Sequence, residues 1–387
     1  MQSYFTRLRL ENWRNFKHVD VELQQRVFVV GPNASGKSNL LDALRFLQEI
    51  AADGGGLTNA LAAPNRGGIR AVRSLHAGRS NHVHIEVDAQ IENVSWTYRL
   101  ILEATGTSRR PGPARVVEEY VAADGAEKLA RPTDADLRDP ELLEATALEQ
   151  RSANGAFRPL RDFLRSTEYI HVVPQLVRQP KTEDAARFGK GLGTGLIEAI
   201  ASTKAKAREK RLRRISTALQ TVLPEFETLD STVDSAGRPH LEARFRHWRK
   251  DAAKQREADF SDGTLRLVGL LWFLASGDAP LLLEEPEMSL HPAAVRQIPR
   301  ILGHVVAEGQ RQVLVSTHSP ELLDDRGIEP SEIVLLRSTT NGTSVSIGSD
   351  DAALVNAAQA GLPLGPQLEG LTRPDGILGL ANYGAAP

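Results

Sequence analysis

The chain has 387 residues, 41% hydrophobic and 25% charged, which sets aside general disorder and allows two to three domains at about 150 residues each. It has no cysteine, no apolar run near the ~20 residues of a membrane helix, and no signal-peptide pattern in MQSYFTRLRLENW. Disulfides, thiolate sites and a membrane span are therefore not expected, a soluble cytoplasmic protein is, and with 47 Lys+Arg against 49 Asp+Glu any basic surface must be local.

Residues 4 to 10 and 16 to 23 read as two short strands around the polar ENWRN turn. Residues 27 to 30 (VFVV) form an apolar run of the buried-strand type. It ends at Gly31-Pro32-Asn33-Ala34-Ser35-Gly36-Lys37-Ser38, which matches the phosphate loop G-x-x-x-x-G-K-[ST] at every position. Gly31 and Gly36 permit a curl that points backbone N–H groups at phosphate oxygens. Lys37 brings a cation to the β- and γ-phosphates, and Ser38 places a hydroxyl on Mg²⁺. The following helix has Leu40, Leu41, Leu44, Leu47 and Ile50 near helical spacing, and its N-terminus adds the positive end of its dipole. Asn33, Ala34, Ser35, Gly36, Lys37, Ser38 and Asn39 are the nucleotide-binding residues expected from this segment.

Residues 51 to 68 read as a Gly/Ala-rich loop. Ile85, Val87, Ala89 and Ile91, then Trp96, Tyr98, Leu100 and Leu102, alternate with polar residues, the pattern of an antiparallel sheet with one covered face. Residues 105 to 165 read as a helical or irregular insertion, and EYIHVV at 168 to 173 as another strand. Beyond it lie Gln175, a loop with Arg178, Lys181 and Arg187, and GKGLGTG at 189 to 195. That Gly cluster is a second phosphate turn or an ordinary connection.

Residues 204 to 214 carry seven cations, Lys204, Lys206, Arg208, Lys210, Arg211, Arg213 and Arg214, against one anion, Glu209. Such a run is a solvated helix face or a contact for a DNA or RNA backbone. Leu212, Ile215, Leu219 and Leu223 give it an apolar stripe. A second cationic patch, Arg244, Arg246, Arg249, Lys250, Lys254 and Arg256, precedes the next motif.

FSDGTLRLVGLLWFLA, residues 260 to 275, predicts a buried helix capped at Ser261. PLLLEEPE, residues 280 to 287, is an apolar strand ending in carboxylates. Glu284 is placed to hold Mg²⁺ and Glu285 to orient or deprotonate the attacking water. VLVST, residues 313 to 317, is a further buried strand, and His318 at its end could reach a γ-phosphate.

The order LRLENWRNF, GPNASGKS, FSDGT, LLLEEPEMSLHP, VLVSTHSP resembles the ABC-type ATPases of the RecF/SMC/OLD group, and within it the compact RecF-like and OLD-like AAA-family ATPases of prokaryotic defence systems. The resemblance covers roughly residues 1 to 50 and 165 to 340. It implies an α/β ABC/RecF-like P-loop ATPase head with an antiparallel β-subdomain and a helical insertion. It implies an N-terminal lobe over 1–104, the insertion with the basic helix over 105–230, a C-terminal lobe over 231–348 and a tail over 349–387. It makes Arg14 a neighbour of the nucleotide, and Ser261, Asp262 and Gly263 the signature that contacts the γ-phosphate held by another subunit. Residues 288 to 291 match the D-loop region, His318 the switch histidine, and Gln175 the Q-loop glutamine near the metal. The implied cofactors are ATP and Mg²⁺. The implied partners are a second copy in an ATP-sandwiched homodimer or higher oligomer, a separate effector (nuclease or toxin), and DNA. Asp262 stands where transport-type ABC proteins have Gly, and Glu284 replaces the usual magnesium-binding Asp, so slow hydrolysis is expected. The residues after His318 lack the Glu and D-x-D pattern of a TOPRIM nuclease, and no heptad coiled coil is present. A RecF-like DNA-repair ATPase and a non-catalytic ATP-dependent scaffold are the alternatives.

Overall fold

The computed structural model describes residues 3–78, 80–107, 110–178, 195–246, 254–309 and 311–373. The chain divides into two compact units. The first comprises Met1–Glu168, Ala279–Leu282 and Pro299–Pro387, and the second Tyr169–Asp278 and Leu283–Ile298. No helix among the described residues is long and apolar enough to cross a membrane.

The first unit opens with β1 (Tyr4–Trp13) and β2 (Phe16–Glu22), an antiparallel hairpin in register from Arg7↔Glu22 to Trp13↔Phe16. They join β4 (His82–Ile91), β5 (Val94–Gly106), β6 (Pro111–Ala123) and β7 (Ala126–Arg131) in one antiparallel sheet of order β2-β1-β4-β5-β6-β7. Alternation decides which face is covered: Val83, Ile85, Val87, Tyr98, Leu100 and Leu102 are buried.

The reading of 105 to 165 as helical or irregular is corrected over its first part by β6 (Pro111–Ala123) and β7 (Ala126–Arg131). The signal was present in Asp124-Gly125, which takes positive φ at both residues (48° and 77°), the chemistry of a tight hairpin turn. It was hidden because register shifts in β6 break the strict period of two. After β7 the segment is helical and irregular as expected, with short helical turns at Asp134–Arg138, Pro140–Glu144 and Asn154–Phe157 before α2 (Arg158–Ser166).

A second sheet has the order β15-β14-β3-β13-β12-β8, built from β3 (Arg26–Val30), β8 (Glu168–Ile170), β12 (Leu281–Glu284), β13 (Val313–Thr317), β14 (Ile333–Thr339) and β15 (Gly342–Ile347). β13 and β14 both run parallel to β3, and β15 returns antiparallel to β14. β3 and β13 are almost wholly buried and near-continuously apolar, as a parallel sheet covered on both faces requires.

Helix α1 (Lys37–Ala51) follows β3 directly and buries Leu40, Leu41, Leu44, Phe46, Leu47 and Ile50. The rings of Trp13 and Phe46 pack at a tilt with centroids 5.4 Å apart, and those of Phe5 and Phe163 likewise at 4.8 Å. A buried ion network ties α1 to the connection after it. Arg66, whose side chain is fully buried, donates to both Asp42 oxygens and to Glu49, and its guanidinium sits 5.1 Å from the Phe46 ring centre. Burial works against its charge, but Asp42 and Glu49 outweigh it and raise its pKa. Residues 51 to 68 are therefore anchored, and include a short helix, Leu57–Leu61. The tail also begins ordered: Ala352–Gln359 and Gly365–Thr372 are helical, burying Leu354 and Leu368. Residues 374–387 lie outside the described chain.

The second unit holds α3 (Ala205–Val222) and a three-stranded antiparallel sheet of β9 (Phe226–Val233), β10 (Pro239–Phe245) and β11 (Lys254–Arg256). Leu212, Ile215 and Leu219 of α3 are buried, as are Phe226, Leu229, Leu241 and Ala243 of the sheet. The hydroxyl of Ser216 accepts the Leu229 N–H at 3.0 Å and fixes helix to strand. Helix α4 (Asp262–Leu274) completes this unit, apolar on most of its circumference.

Candidate functional site

The phosphate loop is a backbone device held from outside. Ala34 and Gly36 take positive φ (63° and 100°), and α1 starts at Lys37 with Gly36, which has no side chain, at its cap position. A helix N-terminus of this kind is suited to an anion. Lys37 is 6% exposed, and its ammonium donates to the Gly31 and Pro32 carbonyls at 2.9 and 3.0 Å. Its ammonium is thus held across the start of the loop.

Asn15 braces the loop from behind. Its Nδ2 donates to the Ser35 carbonyl at 2.8 Å and to Thr343 Oγ1 at 2.6 Å, and its Oδ1 accepts from Asn39 Nδ2 at 2.7 Å. Thr343 donates to the same Ser35 carbonyl at 2.8 Å. A Cβ on Gly36 would come within 2.2 Å of the Asn15 amide, so the glycine is needed for close approach as well as for its φ. Trp13 Nε1 holds the Asn39 carbonyl at 2.8 Å. Arg14 points to α1: its Nη2 bonds Asp42 at 3.4 Å and the Asn65 carbonyl at 2.7 Å. Ser38 lies in the first turn of α1.

His318 is placed by strand register. Thr317, the last residue of β13, pairs with Val30, the last residue of β3. His318 therefore leaves its strand at the level where Gly31 opens the phosphate loop, and its side chain is exposed.

The remaining candidates belong to the second unit. Glu284 ends β12 and is fixed from β8: the Tyr169 hydroxyl donates to its carboxylate, and His171 Nδ1 lies 3.1 Å from its carbonyl oxygen. Burial, with a contribution from Arg266, holds His171 below its ordinary pKa. Glu285 follows with φ 43°, a left-handed conformation uncommon for a non-glycine residue and typical of functional turns. Burial likewise lowers the pKa of Arg266, with Asp262, Glu285 and Glu287 acting in opposition.

Ser261 caps α4: its Oγ accepts the Thr264 N–H at 3.2 Å. A Cβ on Gly263 would meet the Ser289 carbonyl at 2.7 Å, so glycine lets the start of α4 pack on the turn after the carboxylates, where Ser289 also has positive φ (62°). Gln175 turns its amide to Asp262, with Nε2 donating to Oδ2 at 3.2 Å. Arg178 also bonds Asp262. The Gly cluster is described only at Gly195, and its other residues, with Lys181 and Arg187, lie outside the described chain. Among the described residues no group of three or more His, Asp or Glu is arranged to hold a metal by itself.

Two of the seven cations on the basic helix are engaged internally. Arg208 donates to the Ala201 and Thr203 carbonyls, and Arg211 to Ser276 while lying over Trp272. Lys204, Lys206, Lys210, Arg213 and Arg214 are exposed. In the second patch Arg244 alternates with buried Leu241 and Ala243 and so points from the other face of its strand. Lys254 pairs with Glu242 at 3.0 Å and Arg246 with Glu227 at 4.0 Å. Arg249 and Lys250 lie outside the described residues.

Asn15, Thr343, Tyr169, Arg178 and Arg266 were not singled out as site residues from sequence. Only Asn15, inside the NWRNF segment, carried a local signal. Replacing Asn15 with Ala removes the brace and leaves the Ser35 carbonyl with one donor fewer. We expect nucleotide affinity to fall by about tenfold and stability by ~1–2 kcal/mol, measured by fluorescent-nucleotide titration and thermal unfolding. Unchanged affinity would show that the loop holds its curl unaided.

Residues 26–324, well over half of the chain, match the family described as "AAA domain, putative AbiEii toxin, Type IV TA system". A search of the curated proteins finds no match. Among solved structures, an SMC head bound to the C-terminal winged-helix domain of ScpA is similar at TM-score 0.56 and 14% identity, covering 89% of this chain and 97% of that one. A Pyrococcus furiosus Smc head with an extended coiled coil, bound to the C-terminal domain of ScpA, is similar at TM-score 0.54 and 13% identity, covering 92% and 100%. The fold is thus that of an SMC-type ATPase head, and the chain belongs to the AAA family of the AbiEii-like toxin description.

Proposed function

We propose that this chain binds ATP with Mg²⁺, hydrolyses it slowly, and uses the nucleotide to join two copies head to head. The observation that carries the reading is the strand register setting His318 beside the start of the braced phosphate loop. The residues present suit a triphosphate: a helix N-terminus with glycine at its cap position, a nearly buried lysine and a curl with positive φ. Lys37 and the loop N–H groups, from Asn33 to Asn39, would hold the phosphates. Ser38 and Glu284 would hold Mg²⁺. Bound there, the metal would offset charge between the β- and γ-phosphates. Gln175 could join only by giving up its bond to Asp262. Glu285 would accept a proton from the attacking water, and His318 would hold the γ-phosphate from its strand end. The reach of Arg14 is toward Asp42, so its contribution is to fix α1. Glu284 reaches one methylene further than Asp, and Tyr169 restrains it, which suits slow turnover.

In the assembled form, Ser261 and Gly263 of one copy would cap the γ-phosphate held by the other. ATP would thereby favour the closed pair by its differential affinity for that state. A toxin system in the family's description, and a partner domain on the SMC head that this fold resembles, support a regulatory role toward a separate effector, a nuclease or toxin, in anti-phage defence.

The test uses Glu285→Gln, which keeps the carboxylate's shape and removes the base. Light scattering with ATP and Mg²⁺ is expected to show a stable dimer and phosphate release to fall by about 100-fold, whereas Lys37→Ala stays monomeric and loses ATP binding. A Glu285→Gln protein that binds ATP yet remains monomeric contradicts the dimer. Full hydrolysis by that variant contradicts the assignment of the base.

A second reading, duplex DNA binding of the RecF kind, is favoured by one observation. Lys204, Lys206, Lys210, Arg213 and Arg214 are exposed on one helix, and no ion pair joins any of them among the described residues. If they meet phosphates, reversing Lys206, Lys210 and Arg213 to Glu weakens DNA binding. The slope of log K against log salt then falls by about one for each phosphate that is no longer neutralised, with ATP affinity unchanged. Binding that ignores both salt and these reversals leaves the helix as a solvated face.

A further inference from the structure

Asp262 is the first residue of α4, between the Ser261 cap and Gly263. For the helix alone a carboxylate there is favourable, because it faces the positive end of the dipole. For the role proposed above it has the wrong sign, since the same helix end must receive phosphate oxygens from another copy. The structure answers this with two donors on one side. Arg178 Nη2 donates to Asp262 Oδ1 at 2.7 Å and to the Phe260 carbonyl at 2.6 Å, while Gln175 Nε2 donates to Oδ2 at 3.2 Å. Both carboxylate oxygens are thus engaged, by different residues of a single turn, the short helix Pro174–Val177 and its terminal Arg178. The Phe260 carbonyl ties the same guanidinium to the residue just before the Ser261 cap. The pair is partly exposed, with side-chain accessibility of 25% for Arg178 and 39% for Asp262, so it lies within reach of a docking surface.

We propose that Arg178 is a positioning residue of the ATP sandwich, which neutralises Asp262 and turns it aside so that the Ser261–Gly263 turn can accept an anion. The inference rests on the dimer reading. Arg178 does no chemistry in it and acts on the nucleotide only through Asp262. The bond also links the segment after β8 to the start of α4, so a change in one is felt by the other.

Charge rescue separates this role from a merely structural one. In the Glu285→Gln background, Arg178→Gln, Asp262→Asn and the double variant are compared by light scattering across an ATP series. The affinity of the monomer for a fluorescent ATP analogue and the unfolding temperature are measured on each. Arg178→Gln is expected to raise the ATP concentration for half-dimerisation by about tenfold or more, with monomer affinity within about twofold. Adding Asp262→Asn should return half-dimerisation to within about threefold of the parent. A structural role predicts the opposite, because the double variant lacks both partners of the bond and gains nothing. That result, or an Arg178→Gln protein that dimerises like its parent, overturns the proposal. Loss of stability in the single variant does not obscure the comparison, since the double variant shares the missing guanidinium. A Glu285→Gln parent that binds ATP and never dimerises overturns the sandwich itself and this inference with it, and the parent alone tells the two failures apart.

Discussion

The site depends on a backbone that must keep its N–H groups turned inward while making few bonds of its own. Residues 31 to 36 are too short to form regular structure, and two of them sit at positive φ, where an ordinary side chain is strained. Such a loop keeps its shape only if its neighbours determine it. Here they do so from three directions. β3 fixes the entry and α1 the exit, and Asn15 and Thr343, nearly the whole chain apart, meet at the Ser35 carbonyl. A glycine at Gly36 lets the brace come close. The antiparallel sheet thus has a direct part in the site, because the β1–β2 turn delivers Asn15.

Much of this was legible in the sequence because it is local. The phosphate loop is one contiguous motif between a strand and a helix, and both neighbours announce themselves by hydrophobic period. The strands from 85 to 102 alternate cleanly and were read correctly in type. The Ser261 cap stood in front of an apolar run and formed as expected. What escaped reading was either irregular or long-range. The β6–β7 hairpin is bulged, so its period fails even though Asp124-Gly125 marks its turn. Thr343 meets Asn15 only because β15 returns beside β14, and nothing within either segment points to the other. Tyr169 and Arg178 each sit in segments whose apolar or basic pattern is unremarkable, and their partners Glu284 and Asp262 lie about a hundred residues downstream.

Charge placement is the second theme. The near-neutral whole conceals strong local pairing. Under the loop, Arg66 and Arg14 converge on Asp42. At the start of α4, Arg178 and Gln175 take both oxygens of Asp262. In each case a carboxylate near the start of a helix is turned to a cationic partner. The same logic distinguishes the cations of α3. Arg208 and Arg211 are used for packing, and the other five face solvent.

The central claim is that a triphosphate in the Lys37 curl of one copy is capped by the Ser261 turn of another. The natural absence of cysteine allows a direct measurement. Chains carrying Asn33→Cys and chains carrying Met288→Cys, each with Glu285→Gln, are mixed and treated with a short thiol-to-thiol crosslinker. The account predicts a crosslinked mixed pair with ATP and Mg²⁺ and none with ADP or without nucleotide. A mixed pair that forms equally without ATP, or never forms although both proteins bind ATP, would contradict it.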